Sequence, residues 1–228
     1  MQSPLTLSVI VPVLNEATGI NGVIGHLRDL DRSAEIIVVD GDPAGGTIRN
    51  IADRDVVAVL SAPGRANQMN RGASVARGDT LLFLHADTFL PSRAFNAIRR
   101  CLADPEKIGG AFGLGVDSPR WYFRVTEQYV SLRTVLTRLP FGDQAIFLRR
   151  KYFESIGGFA PLPIMEDVEL MTRIRRRGDR ICIVPAKVMT SARRWEREGV
   201  VSATLRNWML QFLYCCGVPP KKLARFYR

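Results

Sequence analysis

The sequence is poor in the residues that build metal clusters and redox centres, with four cysteines and two histidines in 228 residues. Cys101, Cys182, Cys215 and Cys216 make no Cys-x-x-Cys pair and no zinc-ligand spacing, which argues against a structural zinc site and a thioredoxin-like motif. Cys215 and Cys216 are adjacent, and a bridge between them would strain the backbone, because disulfide geometry separates the Cα atoms by more than one peptide unit. Reduced thiols in a reducing cytosol are the simpler expectation. No Pro-, Ser- or Gly-rich linker divides the chain, and there is no internal repeat or low-complexity tract. Long apolar runs are missing too. The stretch Leu5 to Leu14 lacks a basic leader, contains Pro12 and runs into polar Asn15 and Glu16, so it reads as a buried strand rather than a signal peptide. Val200 to Val218 is interrupted by Arg206, Asn207 and Gln211, whereas a membrane span needs about 18 nearly unbroken apolar residues. The expected location is cytoplasmic, with peripheral contact at the inner face of the membrane left open.

What is present is a chain with 46% hydrophobic residues, enough to bury one sizeable core over 1–228. The net charge of +10 is unevenly placed. Residues 1–170 hold 18 Lys/Arg against 19 Asp/Glu, and residues 171–228 hold 14 against 3. A basic end attracts an anionic partner, such as a phosphate-bearing substrate, a lipid head group or nucleic acid; it also serves as a plain solvated face.

Short β-branched runs alternate with helical patterns. Leu7–Val13, Glu35–Val39, Val56–Leu60 and Thr80–Leu84 are predicted strands, each apolar enough to be covered on both faces. Helices are predicted at Gly19–Leu30, Thr47–Ala52 and Ala66–Ala76, and from a Ser92 cap to Ala103. That order implies an α/β fold with a mostly parallel central sheet and helices on both faces. Further on, Ala111–Val116, Ala145–Leu148 and Ile181–Val184 are predicted strands, and Glu166–Arg177 is a helix ended by Gly178. Tyr122, Val125, Tyr129, Leu132 and Leu136 form a helical stripe within Trp121–Arg138, with Trp121, Tyr122 and Phe123 expected in the core or at helix packing. Leu205, Trp208, Met209 and Phe212 make an amphipathic helix with Arg206 and Asn207 on its other side; that helix packs on a partner or on its own core.

Ligands of parallel sheets collect beyond the carboxyl ends of strands. Asp40, in Asp-Gly-Asp-Pro-Ala-Gly-Gly-Thr, stands at one such end, as a hydrogen-bond acceptor for a base or ribose or as an ordinary turn residue. His85 and Asp87, in Leu-His-Ala-Asp-Thr, stand at another; alternation puts both on one side, where Asp87 is a candidate metal ligand and His85 a softer one, better suited to Mn²⁺ than to Mg²⁺. Gly64-Arg65-Ala66 opens a helix whose free N–H groups and Arg65 suit a phosphate, or a structural acid. Gly157-Gly158-Phe159 permits close backbone approach, and Glu166-Asp167 begins a helix, as a candidate general base or as simple charge complement to the helix dipole. Ser191-Ala192-Arg193-Arg194-Trp195 offers guanidiniums for a diphosphate and a ring for stacking, or a surface cluster beside a core tryptophan. His26 reads as structural.

Together these segments resemble the family 2 glycosyltransferases of the GT-A fold, from Val11-Pro12-Val13-Leu14-Asn15-Glu16 through the Asp40 turn and Asp87 to Gly-Gly-Phe and Glu-Asp. The nearest likeness is to a small bacterial subgroup associated with radical-SAM and selenium-related proteins, sharing Leu-His-Ala-Asp-Thr, Gly-Arg-Ala-x-Gln-Met-Asn and Ser-Ala-Arg-Arg-Trp. The resemblance implies an inverting, hexosyltransferase-like reaction that depends on a divalent metal, Mn²⁺ or Mg²⁺. It implies a nucleotide-sugar donor and an acceptor hydroxyl, lipid-linked acceptors included, and no nucleic-acid partner. Residues 1–117 would form the nucleotide-sugar half and 118–228 the acceptor and catalytic half with a basic C-terminal helical segment. Pro12, Glu16, Asp40, Arg65, Gly158, Arg194 and Trp195 would bind the donor, Asp87 with His85 the metal, and Asp167, beside Glu166, would be the base. Two departures stand out. His85-Ala86-Asp87 replaces the family's Asp-x-Asp, and Ser191 stands where processive members have the Gln of Gln-x-x-Arg-Trp. Two other classes compete: nucleotidyl transfer to a sugar phosphate, which lacks its basic loop because Leu14–Gly19 has no Lys or Arg, and a non-catalytic basic module for anionic membrane or nucleic acid.

Overall fold

The computed structural model describes residues 5–226, except for the side chains of Arg194, Arg197, Glu198, Val200 and Val201. The first half runs β1 (Leu7–Val13), α1 (Ile20–Leu30), β2 (Glu35–Asp40), β3 (Val57–Leu60), α2 (Arg65–Val75), β4 (Thr80–Phe83), β5 (Thr88–Phe89), α3 (Ala94–Leu102) and β6 (Lys107–Asp117). The second runs α4 (Trp121–Thr137), β7 (Phe147–Arg149), α5 (Arg150–Ser155), α6 (Glu166–Arg176), β8 (Arg180–Ser191), α7 (Arg193–Glu198), α8 (Val200–Cys215) and α9 (Pro220–Leu223).

All eight strands join one sheet in the order β3-β2-β1-β4-β7-β6-β8-β5. The β3-β2-β1-β4 part is parallel throughout, β7 runs antiparallel to both β4 and β6, and β6 pairs β8 in parallel. Strand alternation splits the core into two layers. Val9, Val11 and Val13 face α1 and α3 on one side, while Ile10, Ile37 and Val39 face α2, α5 and α6 on the other. The α/β architecture with helices on both faces is the one expected.

Several local expectations need correction. Thr47–Ala52 is a single 3₁₀ turn, Ile48–Asn50, too short to be an α-helix. Helix α3 starts at Ala94 after Arg93, without a side-chain cap from Ser92. Strand β3 lies at the sheet edge with alternating exposure, so it is not covered on both faces. Strand β8 extends well past Val184 because a register shift absorbs Pro185, which has no N–H to give a ladder: Phe112 pairs with Val184, and Gly113 with Lys187. Cys101 on α3 and Cys182 on β8 are joined across 81 residues of sequence, with Cα atoms 6.4 Å apart, so the expectation of four reduced thiols does not hold. Cys215 and Cys216 are exposed free thiols. Trp121 is exposed rather than in the core, while Phe123 is buried. The outward faces of α4 and α8 are likewise apolar, so α8 does not pack its apolar stripe on its own core. His26 is structural as expected, with Nε2 2.9 Å from the carbonyl oxygen of Leu90 and its ring edge against Phe89.

Candidate active site

The carboxyl end of β1, the β4–β5 turn and the starts of α2 and α6 open onto one cleft of about 910 Å³. Its walls include Pro12 and Glu16 behind β1, His85 and Asp87 after β4, Gly64, Arg65 and Gln68 on α2, and Glu166 and Asp167 on α6. The C-terminal segment closes it with Arg193, Trp195, Arg206, Asn207 and Gln211. Residues far apart in sequence thus converge because each sits at an element end facing the same edge of the sheet.

The helix starts are held in place by buried amides. Gln68 Nε2 donates to the carbonyl oxygens of Val13, at 2.7 Å, and Val39, at 2.8 Å, tying α2 to the ends of β1 and β2. Its amide packs so tightly on Gly41 that a Cβ there would lie 3.1 Å from it. Asn70 donates to the carbonyl oxygen of Phe159 at 2.8 Å and accepts from the Phe159 N–H at 2.9 Å, latching the loop before α6. Asn15 and Met165, both lining the cleft, hold positive φ values of 60° and 65°. Asparagine tolerates that conformation; for Met165 it stores strain at the mouth of the site.

Five carboxylates, Glu16, Asp87, Asp143, Glu166 and Asp167, share this cleft. Asp167 is half-buried; its Oδ2 accepts from the Gly142 N–H at 2.6 Å and its Oδ1 from the Val168 N–H at 2.8 Å. A Cβ on Gly142 would lie 3.2 Å from Asp167 Oδ2 and 3.3 Å from His85 Nε2, which makes those two side chains neighbours. Glu166 is buried, and desolvation followed by repulsion from Asp167 pushes its carboxyl up to about 7, with Arg65 pulling the other way. Burial also raises Asp143 to about 6, although the Arg133 guanidinium opposes it. Glu16 is raised by burial and by Asp87, and Arg193 lowers it. Burial in turn holds Arg133 below the usual guanidinium range; it stacks 3.5 Å over the Phe141 ring.

Of the residues anticipated from sequence, Pro12, Glu16, Arg65, His85, Asp87, Glu166, Asp167 and Trp195 all line the cleft. Asp40 does not. It is fully buried, and its carboxylate accepts from the N–H groups of Asp42, Thr47 and Ile48, so it shapes the following loop instead of facing a base. Gly158 also stands outside: at φ 68° it turns the chain after α5, where a Cβ would meet Asn70 Oδ1 at 2.7 Å. The side chain of Arg194 lies outside the described residues, and its neighbour Arg193 lines the cleft. Asp143, Arg206, Asn207 and Gln211 had not been anticipated at the site. Asp143 sits in a Gly-Asp-Gln turn with no repeat or spacing to mark it.

Residues 8–162 match the profile described as "Glycosyl transferase family 2". The chain belongs to this family. The matched span holds Asp87 and Asp143 and ends just before Glu166 and Asp167. The probable glycosyltransferase YdaM of Bacillus subtilis (strain 168) is 23% identical over 227 residues, covering 84% of this chain and 50% of the relative. The chain therefore spans about half the length of this curated relative. The mannosyltransferase PcManGT from Pyrobaculum calidifontis, solved with GDP-Man and Mn²⁺, superposes with a TM-score of 0.62 at 26% identity, over 83% of this chain and 57% of that one. Glucosyl-3-phosphoglycerate synthase from Mycobacterium tuberculosis, solved with Mn²⁺, UDP and phosphoglyceric acid, gives a TM-score of 0.63 at 22% identity, over 94% and 80% of the two chains. The sheet and its flanking helices are thus of the GT-A type.

Among the described residues, no three His, Cys, Asp or Glu side chains form a self-sufficient metal cage. Asp87 and His85 supply one oxygen and one nitrogen donor on the same wall. A divalent ion arriving on a diphosphate brings phosphate oxygens as its remaining ligands, and this donor pair fits a shared ion of that kind.

Proposed function

We propose that the protein transfers a hexose-like sugar from a nucleotide-diphosphate donor to an acceptor hydroxyl, with inversion at the anomeric carbon. The observation that carries this reading is the meeting of Asp87, His85, Glu166 and Asp167 with Arg65 and Arg193 in one cleft. Residues 1–117 form most of the donor side, and residues 118–228 supply the base and the acceptor wall, with Arg193 and Trp195 joining the donor side.

Asp167 takes the proton of the acceptor hydroxyl; the freed oxygen bonds to the anomeric carbon as the bond from that carbon to the diphosphate oxygen breaks. Its half-exposed carboxylate, oriented by the Gly142 N–H, supports this role over buried Glu166, which tunes the charge beside it. Arg65 and Arg193, which line the cleft, offset the negative charge of the departing nucleoside diphosphate in this reading. Pro12, Glu16 and Trp195 shape the nucleotide end. Asp87, with His85, would hold Mn²⁺ or Mg²⁺, which when bound supplies Lewis-acid stabilisation to the same leaving group. The presence of Mn²⁺ with GDP-Man or UDP in the two solved relatives supports this part of the reading. The subgroup associated with radical-SAM and selenium-related proteins remains our finer placement, supported by the way Arg65, His85, Asp87 and Arg193, from its three shared segments, line one cleft.

Asp167→Asn tests the assignment. Transfer is expected to fall about 10²-fold or more, while thermal shifts with GDP or UDP, with and without Mn²⁺, stay near those of the unaltered protein. Undiminished transfer by the variant would remove Asp167 as the base; absence of any nucleoside-diphosphate binding would remove the donor class.

A further inference from the structure

Helix α4 turns its more apolar side away from the protein. Its inward side presents Phe123 and Val130 together with polar Glu127 and Thr134. Its outward side presents Trp121, Val125, Leu132 and Leu136, which are 75%, 56%, 60% and 73% exposed, with Tyr129 beside them. Those positions fall on one stripe of helical period. Helix α8 repeats the inversion: Ala203 and Leu210 are buried, while Leu205, Trp208, Met209 and Phe212 point out. The rings of Tyr129 and Trp208 meet with centroids 5.0 Å apart, joining the two stripes into one surface. Contiguous apolar surface of this kind marks a docking face.

Charge decides what docks there. From Gly199 to Arg228 the sequence has no Asp or Glu, but it has Arg206, Lys221, Lys222, Arg225 and Arg228. Lys221, Lys222 and Arg225 are exposed, on α9 and the turn that follows, and this segment packs against α8 through Leu223 and Leu210. On α4 the single acid, Glu127, points inward and is paired with Arg124 and Lys187. Exposed Arg120 and Arg138 bracket the helix. The surface is therefore aromatic and aliphatic, with Arg120 and Arg138 at the two ends of α4 and no exposed carboxylate from either helix, and its α8 half belongs to the most basic part of the chain. A second copy seated on it across a two-fold axis would set cations against cations. Anionic phospholipid matches both parts, acyl chains for the rings and head groups for the cations.

We propose that the α4–α8 face adsorbs this protein to an anionic bilayer surface. The opposite edge of α8 supplies Arg206, Asn207 and Gln211 to the cleft, so adsorption holds that wall of the site close to the head groups. The proposal stands apart from the chemistry assigned to the cleft.

Sedimentation of the full chain with vesicles tests it. Binding is expected to vesicles of mixed phosphatidylglycerol and phosphatidylcholine and not to pure phosphatidylcholine, weakening about tenfold or more in about 0.5 M NaCl. Leu132→Glu and Phe212→Glu, on surface positions outside the cleft, should each weaken it about tenfold with unchanged circular dichroism and nucleoside-diphosphate thermal shifts. The paired Lys221→Glu and Lys222→Glu changes should do the same through charge. Wild-type protein left in the supernatant with anionic vesicles would overturn the proposal. So would a wild-type dimer in light scattering that either apolar-to-Glu variant converts to monomer.

Discussion

Glu166 shows how burial and charge act together on one carboxyl in this cleft. Its ordinary value of 4.5 is raised to about 7, first by desolvation and then by Asp167. Between those pH values the folded protein keeps a proton that the unfolded chain has released, so the stability tied to this group declines as pH rises from 4.5 to 7 and stays low above. Gln cannot ionise. Glu166→Gln should therefore stabilise the protein at pH 8 by on the order of 2 kcal/mol, a gain of several degrees in thermal midpoint, and change little at pH 4.5; calorimetry across pH reads this directly. Asp143, raised to about 6, sustains a similar slope of its own. At this scale the place of a residue in the cleft was legible where a residue type and an element end coincide, as for Asp87 and Asp167. It was silent where orientation decides. Asp40 stands at the expected strand end, but its oxygens bind the loop backbone, and nothing in the string Asp-Gly-Asp-Pro reports which way a carboxylate turns.

Elements are located by period but not by facing. The Tyr122, Val125, Tyr129, Leu132 and Leu136 stripe identifies α4 correctly as a helix, yet most of that stripe points outward, because the buried side also has to accommodate Glu127 and Thr134. Apolar periodicity says that one side differs from the other; it does not say that the core is what covers it. Other elements are fixed by side-chain bonds that no period reveals. Asn70 satisfies both backbone groups of Phe159, so Asn70→Ala leaves a donor and an acceptor without their partner. That change should cost about 1–3 kcal/mol, seen as a lower urea midpoint, and the loop carrying Pro163, Ile164 and Met165 into the cleft would be the part released.

Across the whole molecule, the alternation of strands and helices was enough to establish the sheet and its two helical layers. Connections across long sequence distances were not visible in it. The Cys101–Cys182 link ties α3 to β8 over 81 residues, and the sequence held no spacing that pointed to it. Unfolding in guanidinium without reductant should therefore expose two titratable thiols, Cys215 and Cys216, rather than four; a count of four would show that the pair is reduced in solution. The amide of Gln68 spans a comparable gap, reaching the ends of β1 and β2 while lying against the bare Cα of Gly41. Positions 41 and 68 are in consequence packed as one unit. A homologue that shortens the side chain at 68 gains room for a methyl at 41, and one that keeps the glutamine has to move its amide a few tenths of an ångström to admit that methyl, so substitutions at the two sites are expected to travel together through the lineage.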